Sequence, residues 1–219
     1  MSDRLLNGAY LTVTTGCNLA CPHCFMSGGR RQSDELSTES LLEIISQVAD
    51  LGTRHLTFTG GEPLLRVDLS QLLTRAAQRR ADGIDEIRLV TNGWFVTPEL
   101  AQLLTRRVDR VCVSVDGLEK QHDALRGEGS FERAVQALRF ILDEGAAPTA
   151  YVTVTAQNVE TIPALLDLLG RVGVREVKLR SVWRSGRAIE NPHIAAAKDS
   201  FDGLLVQKGG GLPVNEGAG

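Results

Sequence analysis

The chain lacks any long apolar run. No stretch approaches the roughly 18 consecutive apolar residues that span a bilayer, and the N-terminus lacks the basic-then-apolar pattern of a signal peptide. No membrane partner is expected, and the cytoplasm is the default location. An excess of one charge is lacking too. The formal net charge is −3, which offers no electrostatic footprint for nucleic acid. The short pairs Arg30-Arg31 and Arg79-Arg80 read as solvated surface. Cysteine is scarce, with four in the chain, three of them within eight residues and Cys112 far from the rest. Without an export signal, such clustering favours a metal or redox centre over a disulfide framework.

What is present is an ordinary globular composition, 42% hydrophobic and 23% charged over 219 residues, which suits one domain with a large core. Apolar periodicity predicts strands over Tyr10–Thr14, Arg54–Thr59, Glu86–Thr91, Arg110–Val115, Ala150–Thr155 and Glu176–Arg180. Helical spacing predicts helices over Ser40–Leu51 (capped by Ser37 or Thr38), over Leu69–Arg80, after Thr97-Pro98-Glu99, from a Ser130 cap to about Glu144, and over Thr161–Leu169. Alternating strands and helices imply parallel strands joined by crossovers. A partial or full βα barrel fits, as does an open doubly wound sheet. Residues 183–219 hold seven glycines. Residues 1–188 are therefore expected to form the core domain and 189–219 a short, weakly structured extension, with one helix expected over Ala195–Val206.

The unusual polar residues begin where the strands stop, the end at which parallel βα folds bind ligands. Cys17-Asn18-Leu19-Ala20-Cys21-Pro22-His23-Cys24 follows the first strand, Gly60-Gly61-Glu62-Pro63 the second and Asn92-Gly93 the third; Ser114-Val115-Asp116-Gly117 ends the fourth. The helix-to-strand turns at the opposite end are plain.

Cys17, Cys21 and Cys24 are spaced C-x3-C-x2-C. Three such thiolates can each take an iron of a four-iron cluster and leave the fourth iron open. The competing reading is a structural zinc site completed by His23 or Cys112. Against it, His23 lies inside the C-x2-C turn, and Cys112 sits between Val111 and Val113, where a small buried hydrophobe is expected.

With both motifs in order, each after its strand, the sequence resembles the radical S-adenosylmethionine (SAM) enzymes over roughly residues 8–188, through C-x3-C-x2-C and the GGE motif at Gly60-Gly61-Glu62. Leu89–Gly93, Val113–Gly117, His122-Asp123 and Arg126-Gly127 extend the match, which is most like members carrying a SPASM or twitch extension. The resemblance implies a partial (β/α)6 barrel and a [4Fe-4S] cluster on Cys17, Cys21 and Cys24. It also implies reductive cleavage of SAM to methionine and a 5′-deoxyadenosyl radical that removes a hydrogen atom from substrate.

By the same resemblance, Gly60 and Gly61 let backbone approach the ligand, Glu62 accepts from the SAM ammonium, and Pro63 stiffens the turn. His23 lies against the adenine or is an exposed loop histidine. Asn92 and Ser114 bind the ribose or methionine end. Arg126 meets the SAM carboxylate or pairs with Asp123 or Glu128. Asp116 binds substrate or caps the following turn. Val152 and Val154 read as core, and Arg180, Trp94 and Trp183 as possible mouth residues.

The sequence departs from SPASM relatives in having no cysteine after Cys112, which excludes an auxiliary cluster in this chain. Nine residues precede the first expected strand, too few for a peptide-recognition domain, so a partner chain is expected to present a peptide. The expected function is radical modification of a peptide or natural product, with an electron donor such as flavodoxin or ferredoxin. The alternatives are a nucleotide, sugar or small metabolite as substrate, and a non-catalytic zinc or iron–sulfur protein.

Overall fold

The computed structural model describes residues 6–196 and 214–216. Seven strands form one sheet: β1 (Gly8–Thr12), β2 (His55–Thr59), β3 (Glu86–Thr91), β4 (Arg110–Ser114), β5 (Thr149–Val154), β6 (Glu176–Ser181) and β7 (Val214–Glu216). All adjacent pairs are parallel and the order is β1 through β7 without exchange. That order decides between the two expected architectures. A doubly wound sheet reverses direction at a switch point, whereas right-handed crossovers that step the same way each time put every helix on one face. The result is a half-barrel; among the described residues β1 and β7 do not pair. Six strands were expected; β7 comes from the glycine-rich extension and adds to β6. The helix expected over Ala195–Val206 lies largely outside the described residues.

The helices are α1 (Thr38–Asp50), α2 (Leu69–Gln78), α3 (Pro98–Thr105), α4 (Glu119–Arg126), α5 (Ser130–Asp143), α6 (Ile162–Val172) and the short α7 (Arg187–Glu190). Ser37 caps α1 by accepting from Ser40 N at 3.2 Å, and Thr97 caps α3 by accepting from Leu100 N at 3.2 Å. α4 was not expected. Its sequence buries only His122 and Leu125, so it carries almost no apolar period. The Ser130 cap is corrected as well. Gly129, in the left-handed region at φ 75, is the cap residue, and Asp123 supplies the side chain, accepting from Gly129 N and Phe131 N, each at 2.8 Å.

Strand alternation separates two faces. Leu11, Leu56, Phe58, Ile87, Leu89, Val111, Val113, Val152 and Val154 pack with Leu41, Ile45, Leu72, Leu138 and Leu165 of the helices. Val152 and Val154 are thus core. The face inside the half-barrel is polar. At its amino end Glu86 pairs with Arg88, with Arg110 at 2.9 Å and with His55 at 3.0 Å, and Arg110 also reaches Glu176. Cys112 is fully buried on this inner face. Burial pushes its thiol up, and Tyr151 hydrogen-bonds to it, so it is a buried thiol as expected, in a more polar setting. Arg31 pairs with Glu35, Arg79 with Asp50 and Asp82, and Arg80 with Asp109, the surface roles expected of those arginines.

Candidate active site

The chain leaving β1 is zipped to the turn after β2. Gly61 N donates to Thr14 O at 2.8 Å and Glu62 N to Gly16 O at 2.7 Å. A Cβ on Gly60 (φ 153) would lie 2.4 Å from Thr14 O, and one on Gly61 2.3 Å from Gly16 O. Both positions therefore require glycine. The close approach is to the segment that carries Cys17, so the glycines lock the two motifs together. Pro63 opens a turn of 3-10 helix over Pro63–Leu65.

Cys17, Cys21 and Cys24 are free thiols on one loop. Leu19 N donates to the Cys17 sulfur and Gly28 N to the Cys24 sulfur, each at 3.4 Å. Burial raises the Cys17 and Cys21 pKa values, with Arg126 opposing the rise. Asn92 spans the gap from β3. Its Nδ2 donates to Asn18 Oδ1 at 2.8 Å and lies 4.0 Å from the Cys17 sulfur.

Glu62 is wholly buried. Its Oε1 accepts from Leu64 N at 3.0 Å and Thr91 Oγ1 at 2.8 Å, and its Oε2 accepts from Asn92 N at 2.7 Å. Among the described residues no Lys, Arg or His makes an ion pair with it. Burial outweighs the three neutral donors, and its pKa is raised to about 7.

Asp116 is the other dry carboxylate. Its Oδ2 accepts from Arg126 Nε at 2.6 Å and His23 Nε2 at 3.1 Å, and its Oδ1 from Thr153 N at 2.7 Å. Asn158 donates to its carbonyl. Burial opposes ionisation, but Arg126 and His23 hold the carboxyl far below the usual range. Arg126 thus pairs with Asp116, which corrects the Asp123 and Glu128 pairings. Asp116 does not cap the following turn; it joins β4, α4, β5 and the cysteine loop. His122 Nδ1 accepts from Asp116 N at 3.0 Å, and burial lowers its pKa to about 4. The His122-Asp123…Arg126 motif is in this way a buttress. One member positions the Asp116 backbone, one caps α5 and one neutralises the carboxylate. His23 is buried, not an exposed loop residue, and its Nδ1 has no partner. Ser114 is buried at the carboxyl end of β4.

A family model for the radical SAM superfamily matches residues 11–169. The chain belongs to that superfamily. It is 35% identical over 203 residues to the mycofactocin maturase MftC of Mycolicibacterium smegmatis, an alignment covering 89% of this chain and 50% of that protein. It is 36% identical over 178 residues to the Fe-coproporphyrin III synthase of Methanosarcina barkeri, covering 80% and 44%. It spans about half the length of these curated relatives. Among solved structures, Streptococcus suis SuiB bound to the precursor peptide SuiA superposes with a TM-score of 0.78 at 16% identity, covering 98% of this chain and 49% of that one. That likeness speaks for the fold.

The cofactors of the radical SAM superfamily are a [4Fe-4S] cluster and SAM, and the residues here fit them. Among the described residues no three His, Cys, Asp or Glu converge to hold a single metal ion, as a closed zinc site requires. A four-iron cluster asks for no such convergence, because each thiolate takes its own iron. Among the described residues, Glu62 offers a dry carboxylate with no ion-pair partner, and His23 a buried nitrogen with no hydrogen-bond partner. A cavity of about 390 Å³ lies between Asn18, Leu19, Ala20 and Pro22 on one side and Asp123–Gly127 on the other, so Arg126 borders open space.

Arg180 stacks on Tyr151 at 4.0 Å from the ring centroid. Trp94 lies under Arg133, and Trp183 meets Phe25 edge-on at 6.2 Å. Two supports of the cysteine loop carry no sequence signal. Glu35 accepts from Thr15 N and Thr15 Oγ1, each at 2.6 Å, and its pKa is lowered to about 2 as those bonds outweigh burial. Arg66 Nη1 donates to Val13 O at 2.6 Å. Both act across loops of unrelated sequence. Among the described residues no helix is long and apolar enough to cross a membrane.

Proposed function

We propose that this chain binds a [4Fe-4S] cluster through Cys17, Cys21 and Cys24, cleaves SAM reductively, and uses the resulting radical to take hydrogen from a peptide. When bound, the cluster and SAM supply the electron and the 5′-deoxyadenosyl radical. The chain's own residues bind and orient. Glu62 accepts from the SAM ammonium and gains the positive partner it lacks. Gly60, Gly61 and Pro63 fix its approach. Asn92 and Ser114 hold the ribose or methionine end, and His23 flanks the adenine. Arg126 meets the SAM carboxylate, with Asp116 orienting both Arg126 and His23. Residues 1–188 form the core on this reading, with 189–219 as its extension.

The observation that carries the proposal is the gathering, at one end of a parallel sheet, of three free thiols and a dry Glu62 that has no ion-pair partner among the described residues. A peptide substrate is favoured because MftC is named a maturase and the SuiB structure holds a precursor peptide. The matching identity to Fe-coproporphyrin III synthase supports a second reading, a small metabolite as substrate. A reduced flavodoxin or ferredoxin is the expected electron donor, and another chain the expected means of presenting a peptide.

The test is anaerobic reconstitution with iron and sulfide, then incubation with SAM and dithionite. Wild-type protein is expected to release 5′-deoxyadenosine and Cys21→Ala none. Wild-type protein that takes up only zinc and leaves SAM intact would sink the reading.

A further inference from the structure

Arg187 is distant in sequence from every motif above, yet it makes three bonds to the cysteine loop. Its backbone N donates to Cys24 O at 3.0 Å, its Nε to Cys21 O at 2.8 Å and its Nη1 to Gly28 O at 2.8 Å. We propose that Arg187 is a positioning residue that clasps the loop from Cys21 to Gly28 and brings a positive charge beside the cluster that this loop would hold. This rests on the reading that Cys17, Cys21 and Cys24 hold the cluster.

Three further observations support it. Ser27 is the one non-glycine residue at positive φ among the described residues, with φ 54. An L-residue there is strained and persists only where its surroundings over-determine it. Two of the clasped carbonyls, Cys24 O and Gly28 O, flank Ser27 on either side. The approach is also built for contact. Gly186 has φ 55, and a Cβ there would lie 2.5 Å from Cys24 O, so only glycine lets α7 start against the loop. Finally, among the described residues Arg187 has no carboxylate partner. Its guanidinium is spent on neutral carbonyls, so its positive charge would favour an added electron on a cluster held by that loop. The same segment is anchored beside β5, where Ala156 N donates to Ile194 O at 2.8 Å.

The test compares wild type, Arg187→Gln and Arg187→Lys, each reconstituted anaerobically, by midpoint potential, iron retained against a chelator, and reduced-state EPR. Arg187→Gln is expected to show a more negative potential and several-fold faster iron loss. Arg187→Lys should recover the potential but not the retention, because an ammonium keeps the charge and loses the two-pronged fork. In metal-free protein, Arg187→Gln frees the loop and uncovers the buried Cys21, so Cys21 is expected to be alkylated by iodoacetamide at least threefold faster, with an unchanged circular dichroism spectrum. A wild type that holds a four-iron cluster, with Arg187→Gln matching it in potential, retention and alkylation, would overturn the clasp while leaving the proposed function standing. A wild type that holds no cluster would overturn both.

Discussion

Glu62 and Glu86 sit at opposite ends of the half-barrel and have opposite fates. Glu86, at the amino end, is ringed by Arg88, Arg110 and His55. Arg88 and Arg110 overcome its partial burial and hold its pKa down to about 2. Glu62, at the carboxyl end, is drier and has only neutral donors, so burial carries its pKa up to about 7. At the amino end, Glu86 has its cations within the described residues. The carboxyl end is left short of a cation at one carboxylate while its neighbour Asp116 is fully paired. A dry carboxylate with no ion-pair partner among the described residues is the kind of position that suits a cationic ligand.

The comparison is broken hardest at Asp116. Asp116→Ala leaves Arg126 buried without its partner and is expected to destabilise the fold by about 3–5 kcal/mol, read from urea unfolding. A loss below about 1 kcal/mol would mean that the carboxyl end tolerates unpaired charge generally.

Glu62→Gln comes next. Unfolded Glu62 ionises near the ordinary value of 4.5, and the folded group near 7. Between those values the fold holds a proton that the unfolded chain has lost, so this group's contribution to stability falls as pH rises. The ligand-free wild type is therefore expected to lose stability between about pH 5 and pH 8, and Glu62→Gln, whose amide does not titrate, is expected to lack that fall. The same variant should bind SAM roughly ten- to a hundredfold more weakly, having lost a charge-assisted bond. Wild-type SAM affinity should fall below pH 7 as Glu62 takes up its proton. Calorimetry across pH 6–8 checks both, and affinity that is flat with pH would remove the ammonium from Glu62.

Effects at the amino end are smaller. Glu86, with its lowered pKa, adds stability that is present above pH 4.5 and lost as pH falls toward 2. Arg110→Ala is expected to cost about 1 kcal/mol at pH 7, since Glu86 keeps Arg88 and both groups are partly solvated. The smallest effect is at Cys112, on the inner face away from the cysteine loop. Cys112→Ala should leave reconstituted iron unchanged, and lost iron would mean that this thiol is a ligand.

Much of this was legible because local pattern decided it. Strand and helix alternation, the Ser37 and Thr97 caps, and the placement of the motifs after strands all follow from residues near one another in sequence. α4 was not legible, because a helix that buries only His122 and Leu125 has almost no apolar period. Its role is set by contact with Asp116 and α5. The strand ends drifted by one or two residues, as backbone pairing rather than composition fixes them.

By itself the sequence determined the parallel βα class, the cysteine loop and the GGE turn, since periodicity and spacing are local properties of the chain. Only the tertiary structure decided that the sheet steps one way into a half-barrel, that Arg126 pairs with Asp116, that Glu62 is buried with no ion-pair partner among the described residues, and that Arg187 bonds to the cysteine loop. Those outcomes depend on which groups distant in the chain meet in a dry interior, where burial and pairing set charge.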